Sequence, residues 1–270
     1  MAETELNASQ LFRAGRLNEA LAAATAAVKA QPTDLGARVL LAELLLFAGN
    51  LERADVILDA AGQIDPSSAL VVSEFRQLLR AETARRQLYR DGRVPELLGD
   101  LEPTGQASLK VLVALRAGDA AGAAAAAAAA AAEALRPRVK GIANDAAFDD
   151  FRDADDLLPG YIETLTTTGK YFWVPVARIE TLQFHPPKRP RDLAWRRCSM
   201  SVSSGPDGDV YIPVTYFAEG EIGDALRLGR ETEWNEGEGL VGGIGQRVFL
   251  AGEADISVME LESVEFEPQT

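Results

Sequence analysis

The sequence predicts an α+β fold in two units: antiparallel helix-pair repeats over residues 1–137, then a β-rich, mostly antiparallel α+β unit over residues 138–270. Three observations predict it. The first half repeats itself at a fixed period, the composition changes after Pro137, and from about residue 170 aromatic and β-branched residues alternate with Pro/Gly turns. At 270 residues, 47% hydrophobic and 25% charged, the chain is long and apolar enough to bury a core in each unit.

A shift of 34 positions lays Ala14 on Ala48, Gly15 on Gly49, Leu17 on Leu51, Ala20 on Ala54 and Pro32 on Pro66. That period is the tetratricopeptide one, and the matched residue types suit its mechanics. Gly15 and Gly49 fall where the first helix of a pair must stop and turn, which glycine does without a Cβ penalty. Ala20 and Ala54 are small enough for two helices to approach closely, and Pro32 and Pro66 close the second helix of each pair. Leu40, Leu41, Leu44 and Leu45 supply an apolar stripe between them. The repeats then decay. Residues 70–100 read as helical, with Phe75, Leu78 and Leu79 on one face, but Gly92 leaves the register. Residues 107–136 carry one or two more helices, including the alanine run 123–132, which has high helix propensity and little to bury.

The second unit begins with a linking helix expected over about 145–167, with strands from about 171. Cys198, Met200 and Val202 alternate with Ser199, Ser201 and Ser203, the pattern of a half-buried strand. Gly205-Pro206-Asp207-Gly208 makes a turn, and Val210, Ile212, Val214 and Tyr216 return, so a hairpin is expected. Further strands are expected near 178–184, 246–251 and 256–266. With no long helical pattern between them, the sheet should be mostly antiparallel.

Charge and composition exclude several functions. A formal net charge of −14 opposes nucleic acid and anionic lipid surfaces as partners. The single cysteine, Cys198, cannot form an intramolecular disulfide or a thiolate metal cage and is expected as inert strand packing. The acidic start lacks the features of a signal peptide, and no segment approaches the ~20 large apolar residues of a membrane span. A cytoplasmic location is expected. Catalytic groups are scarce: His185 is the one histidine, so any triad would need it as base, and neither Gly-x-Ser-x-Gly nor a Walker A loop occurs. Gly242-Gly243-Ile244-Gly245 lacks a third phosphate-loop glycine and a following helix, and reads as a turn into a strand.

Three segments stand out. In Phe148-Asp149-Asp150-Phe151-Arg152-Asp153-Ala154-Asp155-Asp156, the spacing of Phe148, Phe151, Ala154 and Leu158 is helical, with Asp149, Asp150, Asp153 and Asp156 on the other side. This reads as an acidic helix start. A calcium loop fails for want of a sixth-position glycine and a closing glutamate. In Gly169-Lys170-Tyr171-Phe172-Trp173-Val174-Pro175, successive aromatics must point to both faces of a strand, one of them toward the helical half or a partner. Between Pro186 and Arg197, the cations Lys188, Arg189, Arg191, Arg196 and Arg197 surround Trp195 and face one acid, Asp192. Pairing of this basic segment with the acidic one is expected.

These blocks, together with Arg178-Ile-Glu-Thr-Leu-Gln-Phe-His-Pro-Pro before Lys188, Leu226-Arg-Leu-Gly-Arg230 and Gly245-Gln-Arg-Val-Phe-Leu250, resemble the signature blocks of the ImpE/TagJ family, in the family's order. The repeats in front also match its arrangement. The resemblance implies a non-catalytic, cytoplasmic accessory component of the bacterial type VI secretion system, a contractile sheath around an inner tube recycled by a hexameric AAA+ unfoldase. It implies binding to the N-terminal helical segment of the small sheath subunit, with the unfoldase a further candidate partner, and no cofactor or metal. It supplies no catalytic residues. Its interface candidates are Phe148, Asp149, Asp150, Phe151, Arg152, Asp153, Asp156, Trp173, Arg189, Arg191, Trp195, Arg196 and Arg197. Two alternatives stand beside it: a general helical-repeat adaptor unrelated to secretion, and an enzyme using the acidic segment 149–156 with His185. The partner helix is expected in the concave face of the repeats, and acidic surroundings would favour Lys or Arg on its flanks.

Overall fold

A computed structural model describes residues 6–118, 122–237 and 239–268. The repeats are antiparallel helix pairs. Helices α1 (Ala8–Arg13) and α2 (Leu17–Ala30) form the first, α3 (Leu35–Phe47) and α4 (Leu51–Ile64) the second, and α5 (Ala69–Asp91) follows. Gly15, Gly49 and Gly92 stop α1, α3 and α5 at φ of 79°, 78° and 76°, left-handed backbone that a Cβ disfavours. An arginine closes each turn from outside. Arg230 donates to the Phe12 and Arg13 carbonyls, Arg86 to that of Gly49, and Arg116 to that of Leu88. Carbonyls at helix ends are thereby satisfied and the negative end of each helix gains a cation. Ala20 and Ala54 are fully buried between helices, as their size predicts.

Beyond α5, a two-residue strand β1 (Glu96–Leu97) precedes α6 (Pro103–Arg116) and α7 (Gly122–Leu135). Helix α7 is the alanine run, and its Ala125 and Ala129 pack on Val111 of α6. Strands then run continuously: β2 (Gly141–Ala143), β3 (Ala146–Phe148), β4 (Phe151–Asp153), β5 (Tyr161–Leu165), β6 (Tyr171–Pro175), β7 (Ile179–Phe184), β8 (Trp195–Val202) and β9 (Gly208–Pro213). The one-turn helix α8 (Asp224–Arg227) leads to β10 (Thr232–Gly237), β11 (Leu240–Gly245), β12 (Val248–Ala251), β13 (Ala254–Ser257) and β14 (Ser263–Phe266). The main sheet has nine strands in the order β1-β6-β5-β9-β8-β7-β14-β2-β3, antiparallel except at β1–β6. Strands β13-β12-β4 and β10-β11 form two smaller sheets. The expected hairpin is β8–β9, with Cys198 opposite Val210.

Two expectations are corrected. The linking helix over 145–167 does not form; β3, β4 and β5 occupy that stretch, so strands begin well before 171. Phe148 and Phe151 do share a side, but as neighbours across a bend: their rings lie 5.5 Å apart and both meet Phe266. Asn144 and Asp145 adopt φ of 45° and 67°, so a two-residue turn of the type that favours hairpins joins β2 to β3. The second correction is β1, a strand before residue 130 where only helices were expected. It pairs Glu96 and Leu97 with Phe172 and Trp173, so the helical half supplies one edge of the sheet.

One core runs through both halves. Leu41, Leu44 and Phe47 of α3 and Phe75, Leu78 and Leu79 of α5 cluster with Tyr161, Tyr171, Trp173, Trp195 and Tyr211 of the sheet. Phe75 meets Trp195 edge to face at 6.0 Å. A second cluster, with Phe151, Ile162, Cys198, Ile212 and Phe249, fills the sheet side. Helices α3 and α5 therefore face the sheet unit. That is the side a free repeat array would offer to a peptide, so the expected concave-face groove is occupied by the chain itself.

Candidate functional site

The junction of helices and sheet is built around a carboxylate. Glu163 on β5 is fully buried, where an unpaired charge would be strongly disfavoured. Arg85 of α5 reaches it with Nε at 2.9 Å and Nη2 at 3.1 Å. Tyr89, one turn along the same face, donates at 3.0 Å, and Tyr171 of β6 donates at 2.5 Å. Arg247, in the link between β11 and β12, donates to both Glu163 and Asp153. Burial pushes the Glu163 carboxyl up, but Arg85 and Arg247 override it and hold it at about 2. Asp153 also accepts from the Tyr216 hydroxyl at 2.9 Å. Its neighbour Asp155 accepts from the Gly243 and Leu157 amides, yet burial and then the Asp153 charge push it up to about 7.

A looser pair ties α3 to the turn before β8. Arg191 lies 3.8 Å from Glu43 and stacks over Phe75, 4.6 Å from the ring centroid. Glu43 Oε1 and both Arg191 Nη atoms have no hydrogen-bond partner among the described residues. Burial pushes Glu43 up to about 7 against the pull of Arg191.

Beside this junction a cleft of about 260 Å³ opens between the end of α3, the outer turns of α5 and the segment 213–227. A second hollow, about 450 Å³, lies on the outside of the repeats, where Leu21, Ala22, Thr25 and Ala26 of α2 meet the ends of α3 and α4, with Lys29 and Arg53 at its rim.

The interface candidates mostly face inward. Phe148, Phe151, Asp153, Trp173, Arg191, Trp195 and Arg196 are buried. Arg196 spends its guanidinium on the carbonyls of His185, Met259 and Leu261. Asp150, Arg152 and Asp156 are half-buried, and only Asp149, Arg189 and Arg197 are exposed. The expected pairing between the acidic and basic segments is corrected: among the described residues no ion pair joins them. Asp150 binds Arg136, Arg152 binds Glu133 and Asp156, and Asp153 binds Arg247. On the other side Arg189 meets Asp192, and Arg197 meets Asp209 at 2.6 Å. Each segment lies nearer to its own charge partners than to the other segment, because one runs through the strand pair at β4 and the other packs on α3.

His185 lies 2.9 Å from Ser199 Oγ, which donates to Asp209 at 2.6 Å. The order is not that of a hydrolase triad. His185 turns the same nitrogen, Nε2, toward both, whereas a triad histidine sits between serine and aspartate on opposite nitrogens. Cys198 is fully buried, and burial raises its thiol to about 12, in keeping with inert packing.

Glu43, Arg85 and Glu163 escaped the sequence reading, and Tyr216 entered it only as a strand residue. A carboxylate between Ile162 and Thr164 marks a buried acid only once the segment is known to be an interior strand. Arg247 was visible in the Gly-Gln-Arg-Val-Phe-Leu block, without a role.

Residues 145–265 match the family model described as ImpE protein, and residues 11–73 match a tetratricopeptide-repeat model. The chain is 32% identical over 264 residues to the type VI secretion system accessory component TagJ of Pseudomonas aeruginosa (strain PAO1), covering 97% of this chain and 91% of that protein. The crystal structure of protein VPA1032 from Vibrio parahaemolyticus superimposes with a TM-score of 0.90 at 29% identity, covering 97% of this chain and 98% of that one.

Proposed function

The chain belongs to the ImpE family, and from that premise we propose that it is a non-catalytic, cytoplasmic adaptor of the type VI secretion system. It binds the N-terminal helical segment of the small contractile-sheath subunit and influences how the AAA+ unfoldase handles or recycles the sheath. The observation that carries this is the similarity to TagJ, a secretion accessory component, along 97% of the chain. Among the described residues no helix is long and apolar enough to cross a membrane.

The seat for the helix is the outer hollow of the repeats. Ala22 and Ala26, exposed and one turn apart on α2, leave room for another helix to approach closely, and the half-buried Leu21 gives it apolar surface. Lys29 and Arg53 at the rim suit a helix with acidic flanks, whereas the net charge had suggested basic ones. The buried signature residues serve this function indirectly, by holding repeats and sheet in one arrangement.

Titration calorimetry of the protein with the cognate sheath peptide, beside a scrambled peptide and at two salt concentrations, tests the reading. Cognate binding at micromolar or tighter affinity is expected, weakening as salt rises without vanishing. A silent titration with folded protein removes the sheath-adaptor reading. Ala26→Trp, which fills the hollow without touching the core, is expected to weaken binding at least tenfold; unchanged affinity would move the seat elsewhere.

A further inference from the structure

We infer that the cleft between α3, α5 and the segment 213–227 is a binding site for a small carboxylate anion, with Arg227 as its principal anchor. Arg227 is half-buried and lines the cleft, yet its guanidinium has no hydrogen bond or ion pair among the described residues. Every other described arginine that is half-buried or more has such a partner. Arg76 has Asp55 and Asp59, Arg86 has Glu82, Arg152 has Glu133 and Asp156, and Arg38 and Arg178 hold backbone carbonyls. The fully buried arginines are held by Glu163, Asp153, Asp150, Glu43 or carbonyls. Among the described residues of a chain with 41 acids and 27 basic residues, a sheltered guanidinium with neither a carboxylate nor a carbonyl is an exception, and it lines a cavity.

The rest of the lining agrees with an anion of this kind. Arg86 and Arg90 also line the cleft, and each is held by its Nε, to Glu82 at 2.9 Å and Glu219 at 2.7 Å. Among the described residues the only hydrogen bond from their terminal nitrogens runs from Arg86 Nη1 to the Gly49 carbonyl, which leaves further N–H groups for a ligand. Arg85 is already neutralised by Glu163, and the two glutamates of the lining by Arg86 and Arg90, which leaves Arg227 as the surplus charge. One surplus guanidinium matches one carboxylate, which its planar fork binds through two parallel hydrogen bonds. At about 260 Å³ the cleft has room for a ligand of amino-acid size. It draws its walls from both halves of the chain, Phe47 and Arg86 on one side and Phe217 and Arg227 on the other, so an occupant would bridge them.

The experiment is calorimetry and thermal melting of the full chain with succinate and L-glutamate as probes. Succinamide, which carries no carboxylate, inorganic phosphate and chloride serve as comparators at constant pH and ionic strength. Saturable binding of a carboxylate probe, with a rise in melting temperature that succinamide does not give, is expected. Arg227→Gln should keep the melting temperature of the unliganded protein and weaken the carboxylate by about tenfold or more, as the loss of a charged bidentate contact implies. Lys110→Gln, an exposed site on α6 outside the cleft with the same change in net charge, should bind as the parent does. Absence of saturable binding by either carboxylate, equal binding by Arg227→Gln, or a response to phosphate alone would each overturn the assignment. Arg90→Gln then reports whether the second guanidinium shares the anion, through a further loss in affinity.

Discussion

At the scale of single residues, the buried carboxylates make opposite predictions. Glu163 is held at about 2, below its ordinary 4.5, so its stabilisation is present above the ordinary value and is lost as the pH falls toward 2. Glu43 is raised to about 7 from the same ordinary value. The native state then binds a proton that the unfolded chain has released, so its share of stability is full below about 4.5 and lost as the pH rises through about 7. Glu43→Gln removes the titration, and the fall in melting temperature between pH 5 and 8 is expected to become shallower; an unchanged slope would assign the fall to Asp155 and other groups. Glu163→Gln leaves Arg85 and Arg247 buried without their shared counter-charge and is expected to cost about 3–5 kcal/mol in urea unfolding. A loss below about 1 kcal/mol, the range of exposed pairs, would show that water reaches the site. Little of this was legible in the sequence. Charges were visible in blocks, and opposite blocks suggested one another. The actual partners lie 78 and 84 residues away, chosen by the packing of α5 and the β11–β12 link on β5.

At the scale of elements, the glycine turns were legible and the strands of residues 141–165 were not. Gly15 and Gly49 repeat at the period because each stops a helix in left-handed backbone, a local requirement that local residues can meet. The arginines that cap those turns come from 37 to 218 positions away, and no local pattern announces them. Gly49→Ala puts a Cβ 3.2 Å from Arg86 Nη1 in left-handed backbone, and is expected to cost about 1–2 kcal/mol in chemical unfolding. Residues 148–158 misled because two phenylalanines three apart fit a helix as well as two short strands around a bend. The Asn144-Asp145 pair was the better signal, since both residues tolerate the positive φ of a tight hairpin. The alanine run was readable as a helix, but its packing needed the structure. Ala125 is fully buried against α6 while Ala127 is exposed. Ala125→Leu should therefore overpack the contact by about 1–3 kcal/mol, and Ala127→Leu should change stability little. Equal effects in thermal melts would mean that α7 does not pack as described.

At the scale of the whole molecule, the packing crosses the line at which the composition divides. Composition changes after Pro137; the helical repeats precede it and all strands but β1 follow it. Yet Phe75 and Leu78 of the helices share a buried cluster with Trp173 and Trp195 of the sheet, Arg85 completes the ion network of β5, and β1 adds an edge strand from within the helical half. Asp224 and Arg230, from the sheet side, cap the first helix pair. Separating the halves would expose that apolar cluster and break the bonds of Arg85 and Tyr89 to Glu163. The two units are therefore proposed to fold as one cooperative body, with chain order but not stability dividing at 137. Far-ultraviolet circular dichroism follows the helices, and tryptophan fluorescence follows the shared core through Trp173 and Trp195. The two melting curves should superimpose, and a fragment of residues 1–137 should lack a cooperative transition of its own. Two separated transitions, or a fragment that melts sharply near the temperature of the full chain, would show that the repeats stand alone. In that case the face of α3 and α5 would become available to a partner whenever the sheet unit moved away.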